Sequence, residues 1–285
     1  MSFSKDEILI QNIVKCSADA QISSAEIDLL VSELFEDAVP FHKSVWDVKN
    51  SILQKYEILQ NSYTGQRSEY DIIKDRLLIS KYVSEKFKSY TDMEQSISAK
   101  PDCVNVAYWY SNSAAKEAVN SFSKLFSSCR YTEAESFVAV CESIVDDNIL
   151  GVLPVANSND GRLMSFYRLL DKYDLKISAV HNVENANGDG FSRFALVGKK
   201  LYNIGSTENK NLEFTVCGKF SPIIYTMEFV KGTVKEITSI PSSHAENECI
   251  NYITAMVNEK RLYLLWWYLY LFGGDVEFIG VYTEI

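Results

Sequence analysis

Between residues 103 and 204, short apolar runs alternate with helical patterns, and this alternation constrains the fold most. The runs CVNVAYWY (103–110), ILGVLPVA (149–156), LKISAV (175–180) and SRFALVG (192–198) are rich in β-branched and aromatic residues. Helical spacing of apolar residues falls between them, at Ala114–Phe126, Ala134–Val145 and Leu163–Tyr173. Strands that alternate with helices predict an α/β layer with a mostly parallel sheet. At roughly 30 residues per βαβ unit, this stretch holds one modest lobe.

The flanks read differently. Residues 1–98 contain one glycine, Gly65, and one proline, Pro40, and predict helices. Ser23 and Glu26 fit a capping box ahead of the stripe Ile27, Leu30, Val31, Leu34, Phe35. A second stripe runs Tyr70, Ile73, Leu77, Val83, Phe87, Tyr90. Two or three such helices pack as a bundle or dimerise. Pro40 predicts a kink or restart, and TDMEQSISAKPD (91–102) reads as a linker. From 205 to 285 the order is β-α-β-β-α-β, that of a ferredoxin-like small domain. In that order, 261–272 is a helix or a buried strand. The expected division is therefore 1–98 helical, 99–204 α/β and 205–285 α+β.

Composition excludes some functions. Lys plus Arg number 28 against 38 Asp plus Glu, a formal net charge of −10. That argues against nucleic-acid binding, which needs a basic footprint, and leaves room for a small basic pocket. The most apolar run, Leu262–Phe272, is too short for a bilayer span of about 20 residues. The polar start carries no secretory signal. No CxxC pair occurs among six cysteines, and His42, His181 and His244 are scattered. The expectation is a cytoplasmic protein with reduced, mostly buried thiols and neither metal nor cofactor.

Three motifs carry a resemblance. GVLPVANSNDGRLMSFYRLLDKYDLKI (151–177) is similar to a stretch of the prephenate dehydratase family, with Pro154, Asn157, Ser158 and Gly161 in matching places. FSRFALVGK (191–199) puts Ser192, Arg193 and Phe194 on the family's Thr-Arg-Phe motif. NVAYWYSNSAAKEA (105–118) resembles its first loop, without the glycines and the proline. The C-terminal unit then resembles an ACT domain: TSIP (238–241) keeps Ser239 and Pro241 of the family's ESRP motif, and SPII (221–224) replaces GALL. The N-terminal helices resemble the chorismate mutase domain of the fused P-protein, with Asp28, Leu34, Phe35, Val45 and Lys49 at its spacing.

The resemblance implies a chemistry of dianionic substrates. A mutase clamps two carboxylates with arginine forks. Here Ala38, Gln21 and Tyr56 fall where those arginines belong, and Lys49 alone survives; mutase activity is not expected. A dehydratase needs a proton donor at the leaving hydroxyl and cationic or amide donors for the carboxylates. The resemblance gives Ser192 the hydroxyl role and Arg193 the carboxylate. Asn157, Ser158, Gly161 and Phe194 line the site, with Ser239 and Pro241 in the regulatory module. Alternatively, Ser192–Phe194 is a polar strand start with Phe194 in the core. The family's second lobe has no counterpart, because LKISAV passes almost directly into HNVENANGDGFSRF.

Two functions stay open. One is a non-catalytic binding or regulatory homologue in the setting of aromatic amino acid biosynthesis. The other is a lyase, a dehydratase or decarboxylase, acting on prephenate or a related cyclohexadienyl acid with its site completed across a dimer. Both imply a small anionic metabolite as ligand. A homodimer is expected through the helical stripes and the ACT-like unit, with neither nucleic acid nor membrane as partner.

Overall fold

The structure is a computed structural model. It describes residues 4–18, 24–36, 45–63, 67–86, 97–110, 112–147, 149–184, 188, 190–203, 208–217, 221–241, 249–273 and 276–285. The chain begins with α1 (Lys5–Ala18), α2 (Ser24–Phe35), α3 (Val45–Ser62) and α4 (Glu69–Lys86). Then come β1 (Ile97–Ala99), β2 (Cys103–Tyr108), α5 (Ser113–Ser123), β3 (Ser128–Glu133), α6 (Phe137–Asp147), β4 (Leu150–Asn157) and β5 (Gly161–Arg162). They are followed by α7 (Met164–Tyr173), β6 (Lys176–Glu184), β7 (Phe191–Gly198) and β8 (Leu201–Asn203). The chain ends with β9 (Asn209–Cys217), α8 (Ser221–Phe229), β10 (Thr233–Pro241), β11 (Cys249–Asn258), α9 (Glu259–Phe272) and β12 (Val276–Glu284).

Two compact units result, and they do not follow the divisions at 98 and 204. One holds 1–92, 221–230 and 263–274; the other holds 93–220, 231–262 and 275–285. The physical reason is that residues 205–285 separate largely by element type: α8 and α9 from Tyr263 onward count with the helical unit, while strands β9–β12 count with the sheet unit.

In the helical unit, Ser4 and Glu7 form a reciprocal capping box on α1. The Glu7 carboxylate accepts from the Ser4 N–H at 2.7 Å, and the Ser4 hydroxyl accepts from the Glu7 N–H at 3.2 Å. The box expected at Ser23, and the kink at Pro40, lie outside the described residues. The stripe residues Val31, Leu34, Phe35, Ile73, Leu77 and Val83 are buried. Trp267 and Leu271 of α9 are fully enclosed with Ile13, Leu34, Ile52 and Leu59. The ambiguous segment 261–272 is thus a helix whose aromatic content fills a core. Those six stripe residues find cover within the helical unit, whereas Tyr70 of the second stripe is 49% exposed.

The sheet unit carries one long mixed sheet in the order β10-β11-β9-β12-β6-β7-β4-β2-β3, with β5 paired to β4. The parallel core is β3–β2–β4, and β12 runs parallel to β6. β7 lies antiparallel between β4 and β6, and β9, β10, β11 and β12 pair antiparallel along the path. The short connection after LKISAV therefore makes β6 and β7 direct neighbours. On the far side of β6 the sheet continues into the C-terminal strands rather than ending at a free edge.

Period-two alternation packs both faces. Leu153, Val155, Ala195 and Val197 face one cluster with α6 and α7; Leu150, Val152, Phe194 and Leu196 face another with α5. Gly151 lets α6 approach β4, since a Cβ there would stand 2.5 Å from Ile144 Cδ1. β3 is mostly exposed, and its polar SCRYTE pattern suits an edge strand. The thiols are free but not mostly buried: Cys141 is buried, whereas Cys103, Cys217 and Cys249 are exposed. Those three stand at strand ends, where cover is thin. Among the described residues, no helix is long and apolar enough to cross a membrane.

Candidate functional site

The end of β4 builds the first group. The Asn157 carboxamide oxygen accepts from the N–H groups of Asn159 at 2.9 Å and Asp160 at 2.8 Å, and its amide donates to the Asp160 carboxylate at 2.9 Å. This side-chain turn and Gly161, at φ +67°, reverse the chain into β5. Ser158 is latched to Phe191: its N–H donates to the Phe191 carbonyl at 2.9 Å, and its hydroxyl accepts from the Phe191 N–H at 3.2 Å. Pro154, which has no N–H to give, sits at a register shift between β4 and β7.

The antiparallel register sets Asn157 opposite Ser192 and Ala156 opposite Arg193. Asn157, Ser158, Gly161, Ser192 and Arg193 thus gather at one place. A parallel pairing, the expected arrangement, would have set the end of β4 and the start of β7 at opposite ends of the sheet. The Arg193 guanidinium donates to the Glu284 carboxylate at 2.7 Å. Phe194 is 2% exposed and belongs to the core beside α5, so it holds the strand.

The remaining expected residues lie elsewhere. Lys49 holds its ammonium 4.5 Å from the centroid of the Tyr270 ring in the helical unit. Tyr56, at the position of a missing mutase arginine, accepts from Arg76 Nε at 3.2 Å. Ser239 donates to Asn251 Oδ1 at 2.7 Å across β10 and β11, and Pro241 closes β10 on the surface. Ala38 and Gln21 lie outside the described residues. Among the described residues, no three His, Cys, Asp or Glu side chains converge as a metal site would require.

Sequence reasoning missed a second group, immediately beyond Gly161. Arg162 donates through Nη1 to Glu213 Oε1 at 3.1 Å and to the Tyr167 hydroxyl, and through Nη2 to Thr254 Oγ1 at 2.5 Å. Its Nε meets Glu236 at 2.6 Å. Glu213 is 2% exposed, and it also accepts from the Tyr167 hydroxyl at 2.8 Å and the Tyr282 hydroxyl at 3.0 Å. Burial first, then the charge of Glu213, raises the pKa of both phenols far above the usual tyrosine value; Arg162 at Tyr167, and Arg193 with Arg162 at Tyr282, only partly offset this. Burial alone would lower the Arg162 pKa, but Tyr167, Glu213 and Glu236 outweigh it. The readable signal was Glu213, a single charge inside the apolar strand LEFTVC.

Both arginines near the NS..G turn are therefore engaged by carboxylates of the same chain. A dianionic ligand at this place would have to displace Glu284 from Arg193, or Glu213 from Arg162. Breaking the buried Arg162–Glu213 pair costs about 3–5 kcal/mol, whereas the part-exposed Arg193–Glu284 pair is worth about 1 kcal/mol or less.

No protein-family model matches the sequence, and no curated protein sequence does either. Solved structures match by fold. The prephenate dehydratase of Streptococcus mutans matches over 64% of this chain and 98% of its own, with TM-score 0.50 and 14% identity. A protein described as a novel type of quorum quenching acylase, GqqA, matches over 63% and 94%, at 0.47 and 16%. The prephenate dehydratase of Staphylococcus aureus matches over 62% and 99%, at 0.47 and 12%. Of these three the first alone reaches 0.50, and at 14% identity it shows a shared fold and no more.

Proposed function

We propose that this chain is a non-catalytic descendant of the prephenate dehydratase fold, kept as a binding or regulatory protein. The observation that carries this is the pairing of Arg193 Nη2 with Glu284 and of the buried Arg162 with Glu213, which turns donors of both guanidinium groups toward carboxylates of the same chain. A site preorganised for a dianion keeps its donors aimed at the ligand's position; here they are aimed at protein oxygens.

The ancestry we propose has three parts: mutase-like helices, a single dehydratase-like lobe and an ACT-like tail. The tail's strand order β10-β11-β9-β12, all antiparallel, supports the last of these. On this reading the ligand belongs to the chemistry of aromatic amino acid biosynthesis, and the mutase-like helices turn over no chorismate. Purified protein with prephenate should give phenylpyruvate no faster than the spontaneous reaction. Clear turnover would establish the lyase instead, and Ser192→Ala and Arg193→Ala should then each lower it at least tenfold, about 1.4 kcal/mol.

A further inference from the structure

Beside the closed Arg162 group, the same sheet face opens into a cavity of about 340 Å³. Its floor is one row across three strands: Tyr252 pairs with Thr215, and Thr215 with Glu277. Leu170 and Asp171 of α7 cover it, and Leu175, Ile250 and Ile279 supply apolar wall. A volume near the lower end of ordinary ligand sites, with an apolar wall facing a charged rim, suits a small amphipathic molecule.

The charges at the mouth do not balance. Lys176 binds Asp174 at 2.9 Å and Glu277 at 2.5 Å, and Lys199 reaches Asp174 at 3.4 Å. Two ammonium groups thus answer two carboxylates. Asp171, also on the wall, has no hydrogen bond or ion pair to its side chain among the described residues.

Tyr252 is the second, independent sign. It is only 5% exposed, and its ring packs on Tyr167 with centroids 4.3 Å apart. Its hydroxyl has no hydrogen-bond partner among the described residues. Burial, then the charges of Asp171 and Glu277, pushes its pKa up to about 12, so the hydroxyl lies in the field of these two of the three cavity carboxylates. The ring is buried, but the hydroxyl is open to the cavity and free to accept from a ligand.

We propose that this cavity binds a small monocationic primary amine with an apolar body, the ammonium held by the Asp171 carboxylate and the Tyr252 hydroxyl. An ammonium brings three donors and no acceptor, which fits one unanswered carboxylate and one lone oxygen. The hydrocarbon lies against Leu170, Leu175, Ile250 and Ile279. This site is separate from Ser192 and Arg193, so its failure would leave the non-catalytic reading standing, and the reverse holds too.

Titration calorimetry on the full chain, with 2-phenylethylamine and n-hexylamine, tests it; phenylacetate serves as an anion of similar shape. At least one amine should bind one to one, and phenylacetate should not. Asp171→Asn should weaken binding about tenfold and Tyr252→Phe about threefold. Both variants should melt at the wild-type temperature, because neither side chain holds a protein partner. Absence of amine binding at millimolar concentration, equal binding of phenylacetate, or wild-type affinity in Asp171→Asn would overturn the proposal. Wild-type affinity in Tyr252→Phe would overturn the role of the hydroxyl.

Discussion

Two adjacent rows of one sheet face use their carboxylates in opposite ways. In the row of Glu213 and Thr254, every group near the buried carboxylate is engaged: one guanidinium, two phenols and a threonine hydroxyl. Two residues along each strand, the row of Thr215 and Tyr252 fronts a cavity, with a carboxylate and a hydroxyl unanswered. The Tyr167 and Tyr252 rings pack at a tilt across the boundary between the rows. The difference teaches that acid content does not mark a site. A carboxylate enclosed with its own guanidinium is structure, whereas one left over at a cavity mouth is a means of recognition.

The largest break in this comparison comes from opening the closed row. Arg162→Met strands Glu213, 2% exposed, as a buried charge without its cation. It should destabilise the protein by about 3–5 kcal/mol in denaturant unfolding. The double variant Arg162→Met with Glu213→Leu removes both charges and should be more stable than either single variant. If the double variant is as unstable as the sum of the singles, the pair is not coupled and the closed row is misread.

The phenols of the closed row give the next effect, at alkaline pH. The folded pKa values of Tyr167 and Tyr282 are raised by burial and by Glu213. The neutral phenol is therefore the folded form. This contribution is whole below about pH 10, where unfolded tyrosine begins to ionise, and is lost as pH rises toward the folded pKa values. Stability should fall by about 1.4 kcal/mol per pH unit for each phenol above that point. Tyr167→Phe should flatten the fall; an unchanged slope would show that Tyr167 ionises freely.

At the cavity mouth the pH effect is smaller and opposite in sign. Burial alone would raise the Asp174 pKa, but hydrogen bonds and charge from Lys176 and Lys199 outweigh it and hold it below the usual carboxylate value. Its contribution is present above the unfolded pKa and is lost as pH falls through the lower folded value. Because its side chain is 64% exposed, the loss should stay within about 1 kcal/mol. Acid unfolding of Asp174→Asn against wild type measures it.

Much of the fold was legible, because period-two runs and helical spacing report local burial. The elements from β2 to β12 lie close to where their patterns set them, apart from β3, β5 and β8, which bury too little to leave a pattern. Pairing direction was not legible. The hydrophobic pattern of β7 is the same whether it runs parallel or antiparallel to β4, and only the short link from Glu184 to Phe191 forces the reversal. The candidate site was half legible. Asn157, Ser158 and Ser192 could be read from motifs, whereas the Arg162 and Glu213 partnership spans 51 positions and leaves no local trace.

The smallest stability effect belongs to the open row and bears most directly on the comparison. Removing the hydroxyl of Tyr167 strips Glu213 and Arg162 of a partner, whereas removing that of Tyr252 strips nothing among the described residues. Tyr252→Phe should therefore lie within about 0.5 kcal/mol of wild type, and Tyr167→Phe about 1–3 kcal/mol below it, since buried partners left unsatisfied cost that much. Both variants keep the packed ring pair, so ring packing cancels between them. Chemical denaturation of the two, side by side, isolates the hydroxyls. Equal losses would mean that the two rows do not differ in how completely their polar groups are engaged. A loss for Tyr252→Phe alone would reveal a protein partner for that hydroxyl and would close the cavity to the amine.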